Sequence, residues 1–225
     1  MIRTENNRIV FERNLRTDIR PALACIFQLA NRLGYKDIIL DFSNTTYVNA
    51  NLMLPISSYS AYYRLNDVDF ILVEPNDQKL RRLFLNANWA HFIDPQKYAS
   101  NFVRRSNNLP ALQFLDGDAQ HDVVNKAMEI LMETIKVEDR KQLKALEWAL
   151  NEITDNVLNH AESAIGGIVQ IQSFPSKNRV SFFVADAGLG IANTLRRAIP
   201  TLTSDADALD RAIWEGVTRN SKTNQ

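Results

Sequence analysis

The chain has 225 residues with 26 basic and 26 acidic side chains, so its formal net charge is zero, and 45% of its residues are hydrophobic. The balanced charge gives no basic surface of the kind that binds nucleic acid or an anionic membrane, and the length suits one large domain or two small ones. A single cysteine, Cys25, excludes an intrachain disulfide, and the lack of a membrane-length apolar run or a signal-peptide core leads us to expect a cytoplasmic protein.

The first part of the chain alternates strand and helix patterns. Short apolar runs bounded by turn residues indicate strands, and apolar residues that recur every three or four positions indicate helices. The expected strands are 8–12, 36–42, 68–74 and 91–94, and the expected helices are 19–33, 53–65 and 78–87. This alternation predicts an α/β domain with neighbouring parallel strands over residues 1–98.

The pattern changes in the second part of the chain. Residues 99–117 are polar and irregular, which predicts a linker. The expected helices beyond it are about 119–136, 139–161 and 205–215, and the expected strands are 167–174 and 179–185, joined as a hairpin through 175–178. Helices on a mostly antiparallel sheet predict an α+β sandwich over residues 118–225.

Residues 151–161 carry Glu152, Asn156 and His160 at four-residue intervals within an apolar helical pattern. Side chains four residues apart lie on one face of a helix. Asn156 offers an amide oxygen of the hard kind that Mg²⁺ binds together with water and phosphate oxygens. Glu152 has a carboxylate that could orient or deprotonate a water aimed at a γ-phosphate. The alternative is an ordinary solvated helix face, with His160 interacting with the dipole at the helix C-terminus.

A second motif, residues 184–191, ends a strand with Asp186, and two spaced glycines follow. The Asp186 carboxylate could accept a hydrogen bond from an adenine amino group, while Gly188 and Gly190 let the backbone pass close to a flat ring or a phosphate. Alone, such a sequence is an ordinary strand-to-loop turn. The order of helix, hairpin and turn favours a single nucleotide pocket built from both motifs.

At these residues the chain resembles the GHKL superfamily of gyrase-type topoisomerases, the heat-shock chaperone, histidine kinases and mismatch-repair ATPases. The segment 152–156 resembles the N-box of that family, and the ending Asn159-His160-Ala161 is closest to bacterial anti-sigma kinases and sensor kinases. The segment 186–191 resembles its G1 box. The resemblance covers about residues 118–225 and implies a Bergerat-type α+β sandwich that binds ATP and Mg²⁺.

The resemblance also implies a role for each matching residue. Glu152 would be the catalytic base or water-orienting residue, and Asn156 would be the Mg²⁺ ligand. Asn159 and His160 would lie beside the phosphates and the sugar. The adenine would be held by the remaining residues, with Asp186 bonding its amino group and Gly188, Gly190 and Ile191 shaping the base pocket.

The family has a second glycine-rich box after an ATP lid. The segment 216–225 resembles the approach to that lid, without the glycines. We therefore expect a GHKL domain that is C-terminally incomplete, in which residues 218–225 belong to the lid and Thr218 lies near the phosphates.

Residues 41–54 follow a buried strand, precede a helix and resemble STAS domains, which are α/β modules that bind protein partners. That family has an Asp-Ser-Ser-Gly stretch whose serine is phosphorylated, whereas this chain has Asn49-Ala50-Asn51-Leu52 at the matching place. The stretch holds no hydroxyl for a phosphate. The alternative is that Asn49 simply caps the N-terminus of the helix.

Three functions follow from these patterns. The first is an ATP- and Mg²⁺-binding regulatory protein in which lid closure switches a protein partner through the STAS-like domain, with slow hydrolysis supported by Glu152. The second is a serine/threonine protein kinase of the anti-sigma type, and the third is a non-enzymatic interaction module with a degenerate nucleotide site. The family resemblance also makes a homodimer an expectation, since GHKL proteins often dimerise.

Overall fold

The computed structural model describes residues 2–14, 18–101, 108–134 and 140–213, and its fold is mixed α/β. In the first half the strands are β1 (Ile2–Glu5), β2 (Arg8–Phe11), β3 (Arg13–Asn14), β4 (Asp37–Asp41), β5 (Thr45–Tyr47) and β6 (Asp69–Val73). The helices are α1 (Arg20–Phe27), which continues as a π-helical turn over Gln28–Arg32, α2 (Ala50–Arg64), α3 (Gln78–Asn86) and α4 (Trp89–Ile93).

The main sheet of this half has the order β1-β2-β4-β6. Strands β2, β4 and β6 run parallel to one another, and β1 is antiparallel to β2. A small parallel pair, β3 with β5, lies beside it. The predicted α/β layer with neighbouring parallel strands is confirmed.

The strand predicted over residues 91–94 is wrong, because these residues form α4 and its C-terminal cap. Trp89, Ala90, Phe92 and Ile93 are all buried. A short segment that is apolar on every side has no period that separates a strand from a helix.

In the second half the strands are β7 (Leu109–Phe114), β8 (Gly167–Phe174) and β9 (Arg179–Asp186). The helices are α5 (Gly117–Thr134), α6 (Arg140–His160), α7 (Gly190–Ala198) and α8 (Asp205–Ala212). The three strands form an antiparallel sheet in the order β7-β8-β9. The hairpin, the two long helices and α8 agree with the sequence prediction, although the expected end of α8 at 214–215 and the whole segment 216–225 lie outside the described residues.

Two predictions for this half need correction. The segment 99–117 is more than a linker, because residues 109–114 of it form β7, which pairs with β8. The sequence pattern did not predict this strand because it contains Pro110. Proline has no N–H to donate to the neighbouring strand and is confined to edge strands and bulges. Helix α7 was not predicted at all, because it begins at Gly190, in what the sequence presents as a turn.

The β7-β8-β9 sheet packs against other elements on both faces. On one face Ile168 of β8 and Ala185 of β9 join the core of the first half, where α2 packs against both strands. On the other face Val169 of β8 and Val184 of β9 pack with residues of α5 and α6. The two halves therefore share the core on the first face, and the second face packs in separate clusters with α5 and α6. Among the described residues, no helix combines the length and the apolar character needed to cross a membrane.

Asn88 joins the two halves at the turn between α3 and α4. Its backbone is left-handed, with φ of 66°, and the residue is buried. Its Nδ2 donates to the carbonyl oxygen of Ala111 in β7 at 2.9 Å, and its Oδ1 accepts from the N–H of Asn101 at 2.8 Å. The N–H of Ala111 donates to the carbonyl oxygen of Ala87 at 2.9 Å. The outer edge of β7 is thus bound by this one turn.

Two substitutions separate the contributions of Asn88. Asn88→Gly keeps the left-handed backbone and loses the buried side-chain hydrogen bonds, so we expect a loss of about 1–3 kcal/mol of unfolding free energy. Asn88→Ala also places a Cβ in the left-handed region, which adds about 1 kcal/mol. Urea unfolding followed by circular dichroism measures both. Equal stability of the two variants would show that the backbone conformation does not constrain this position.

Candidate functional site

A cavity of about 520 Å³ opens between the C-terminal half of α6, the end of β9, and α7 with α8. Its walls consist of Ile153, Asn156, Val157, His160 and Ala161 from α6 and the residue after it, Val184 and Asp186 from β9, and Gly190, Ile191, Thr194, Leu195 and Ala212 from α7 and α8. A volume of this size suits a small-molecule ligand. One side of the cavity offers polar groups and the other a mainly aliphatic surface.

The structure brings five of the residues predicted for a nucleotide site into this one cavity, namely Asn156, His160, Asp186, Gly190 and Ile191. Glu152 lies one turn before Asn156 on α6, with an exposed side chain outside the cavity wall. Asn159 is also exposed on α6 and outside the wall, and Gly188 does not line the cavity. Thr218 lies outside the described residues.

Asp186 ends β9 with its carboxylate half-buried at the cavity. Its Oδ1 accepts a hydrogen bond from the N–H of Gly188 at 2.8 Å, which closes a tight turn directly after the strand. The bond fixes the plane of the carboxylate, because one oxygen is held by the backbone. The second oxygen, Oδ2, remains to accept a hydrogen bond from a ligand.

Gly188 sets the distance between this turn and α6. A Cβ at Gly188 would lie 2.1 Å from the carbonyl oxygen of Ala161, so only glycine permits the approach. The next residue, Leu189, donates its N–H to that same carbonyl oxygen at 2.8 Å. The end of β9 is therefore fastened to the end of the helix that carries Asn156 and His160.

Helix α7 closes the third side of the cavity. Gly190 begins it with φ of 74°, a left-handed conformation that glycine adopts without strain. Thr194 is buried and donates from Oγ1 to the carbonyl oxygen of Gly190 at 2.9 Å, which tightens the first turn of the helix. Thr194 and Leu195 were missed from the sequence. Their spacing of four from Gly190 and Ile191 would have indicated them once a helix was assigned there.

Part of the cavity wall is apolar and accessible. Ile153 is 48% exposed and Ile191 is 61% exposed, and both line the cavity. Inside, the Nδ1 atom of His160 is buried and has no hydrogen-bond partner among the described residues. A ligand that filled this cavity would cover aliphatic surface and would meet an imidazole, an amide and a carboxylate.

Asn49 and Asp41, both from the segment 41–54 that resembles STAS domains, have structural roles. Oδ1 of Asn49 accepts from the N–H of Leu52 at 3.2 Å, which confirms it as the N-cap of α2. Asp41 at the end of β4 is buried, which raises its pKa, but hydrogen bonds from the Ser43 backbone and from Arg8 outweigh the burial and hold the pKa below its usual value. Asp41 is thus an ionised structural carboxylate.

Comparison of the chain with known protein families, with curated proteins and with solved structures gives no match. No group of three or more His, Cys, Asp or Glu side chains able to hold a metal ion is present in the described part of the chain. A metal that shares its coordination between one amide oxygen and the oxygens of a ligand requires no such group. The function is therefore inferred from the cavity itself.

Substitution of two neighbouring glycines tests how the cavity is built. Gly188→Ala forces a Cβ against the backbone of Ala161, and overpacking of this kind costs about 1–3 kcal/mol or more of unfolding free energy. Gly190→Ala meets open space and carries only the cost of a left-handed backbone, about 1 kcal/mol. Chemical denaturation of both proteins gives the comparison. A Gly190 variant less stable than the Gly188 variant would contradict this account of the turn.

Proposed function

We propose that this chain is a regulatory protein that binds ATP and Mg²⁺ through a GHKL-type domain in its second half. The observation that supports the proposal is the convergence of Asn156, His160 and Asp186 on one cavity with aliphatic walls. These residues come from two motifs 30 positions apart, each of which matches one box of the GHKL pattern.

The base side of the proposed site is built from β9 and α7. A flat heterocycle would lie between the aliphatic side chains of Val184, Ile191 and Leu195. The Oδ2 atom of Asp186 would accept a hydrogen bond from the exocyclic amino group of adenine. Because Oδ1 is already bonded to the Gly188 backbone, the acceptor is oriented before the ligand arrives.

The metal side of the proposed site is built from α6. Asn156 lines the cavity with an amide group, and Mg²⁺ prefers oxygen ligands and keeps several waters or phosphate oxygens in its coordination shell. The ion would supply charge neutralisation at the phosphates. Glu152 lies one turn before Asn156 on the same helix, where its carboxylate would orient or deprotonate a water.

The switch in this proposal links the cavity to a partner-binding first half. Strand β9 contributes Asp186 to the cavity and Ala185 to the core that contains α2. We propose that the first half is a STAS-like domain that presents the nucleotide state to a protein partner. The proposed lid would close over the nucleotide and bring Thr218 near the phosphates. The residues of this lid lie outside the described part of the chain.

Exchange of the carboxylate for an amide tests the base side. In Asp186→Asn the side-chain oxygen keeps its bond to the Gly188 N–H, so the NH₂ group faces the ligand as a donor and opposes the donor on adenine. We expect ATP to bind about tenfold more weakly or worse, while inosine triphosphate, which has a carbonyl oxygen at that position, loses less. Isothermal titration calorimetry measures both, with Asp210→Asn on exposed α8 as the control. Unchanged ATP binding by the Asp186 variant would refute the assignment.

Removal of the carboxylate from Glu152 tests hydrolysis separately from binding. We expect Glu152→Ala to bind ATP within about twofold of the unmodified chain and to release phosphate about 10²–10⁴ times more slowly. Glu147→Ala, which alters an exposed glutamate of the same helix, should leave both quantities unchanged. Equal turnover in the Glu152 variant would exclude it as the catalytic group.

The same assay distinguishes the protein-kinase alternative, which the Asn159-His160-Ala161 ending favours. Radiolabelled γ-phosphate that appears on serine or threonine of an added protein, instead of as free phosphate, would assign the kinase reaction. Absence of any ATP or ADP binding would favour the non-enzymatic interaction module.

A further inference from the structure

The rotation of α6 about its own axis decides which side chains face the cavity. Successive residues of an α-helix are about 100° apart. Ile153, Asn156, Val157 and His160 line the cavity, so Asp155 lies on roughly the opposite side of the helix and Thr154 lies on its flank. Rotation by even half of one residue step would turn Asn156 away from the position that its metal-binding role requires.

The N-terminal half of α6 does little to fix this rotation. Residues 144–148 are all exposed, and they include Leu146 and Trp148, the latter 66% exposed. Five consecutive residues cover more than one full turn, so no side of the helix is buried there by the described part of the chain. The orientation must be fixed farther along, where Leu150, Thr154 and Val157 are buried.

Gln120, in the first turn of α5, forms side-chain hydrogen bonds with this part of α6. Its side chain is buried, and its Nε2 donates to Oγ1 of Thr154 and to Oδ1 of Asp155, each at 2.9 Å. Both amide hydrogens are thus used on residues of α6 that do not line the cavity. The carboxylate of Asp155 accepts only, so it also decides which end of the Gln120 amide points toward α6.

We infer that Gln120 is a positioning residue for the metal side of the site. This inference rests on the proposed function, since it concerns how Asn156 and Glu152 are presented to Mg²⁺ and the phosphates. Asp155 immediately precedes Asn156. The hydrogen bonds from Gln120 that hold Thr154 and Asp155 therefore also set the directions in which Asn156 and Glu152 point. On the base side, the carboxylate of Asp186 is held by the N–H of Gly188, in the turn after β9, and Gln120 makes no hydrogen bond to it.

The test compares two ligands on one variant. Gln120→Met keeps nearly the same length and volume but removes both donors. Loss of a group that orients a metal ligand typically weakens metal-dependent binding about tenfold or more. We therefore expect the Kd for Mg·ATP to rise about tenfold, while the Kd for adenosine in the absence of Mg²⁺, a probe of the base side alone, stays within about twofold.

His121→Met is the matched control, since it places the same side chain at the adjacent, exposed position of α5 and should change neither Kd. Retained adenosine binding by the Gln120 variant also shows that its cavity has folded. If both affinities fell in parallel, or if neither changed, Gln120 would be a structural residue only and the inference would be overturned. Failure of the unmodified chain to bind either ligand would instead refute the proposed function, on which the inference depends.

Discussion

The packing of β9 against a hydrophobic cluster on each face is the constraint on which the rest of the structure depends. Phe183 and Ala185 point toward the core of the first half, while Phe182 and Val184 point toward α5 and α6. A strand with side chains that alternate between two clusters cannot slide by one residue without placing each set of side chains on the wrong face. Asp186 is the last residue of this strand, so the same packing fixes its position.

The helix and the strand of the candidate site are then brought together by a backbone contact. Ala161 follows α6 directly, and its carbonyl oxygen lies against Gly188 and accepts the N–H of Leu189. A contact made by backbone atoms varies little with side-chain rotamers. The amide of Asn156 and the carboxylate of Asp186 therefore line one cavity between two segments that this backbone contact holds together.

The sequence predicts those elements of the fold that are determined by residues close to one another along the chain. Cap and turn residues act on their own neighbours, so α2 with Asn49 and the β8–β9 hairpin with left-handed Asn178 could be predicted. The placement of Asn156 and Asp186 in one cavity followed from the order of two motifs. By contrast β7, α4 and α7 depend on long-range contacts. β7 is a strand because it pairs with β8, and its outer edge bonds to Ala87 and Asn88; none of these partners is near it in sequence.

The interface between the halves combines close packing with buried polar groups, and both would affect a signal that passed through it. Helix α2 packs against β8 and β9, and it carries three buried serines, Ser57, Ser58 and Ser60. Their small size suits the close packing of a helix that is buried on nearly every side, but their hydroxyls find no partner among the described residues, and such groups cost stability. The buried bond from Nε1 of Trp89 to Oε1 of Gln170, 2.8 Å long, offsets part of that cost. Because close-packed cores shift between discrete arrangements and do not deform smoothly, a displacement of β9 must either carry α2 with it or open this interface.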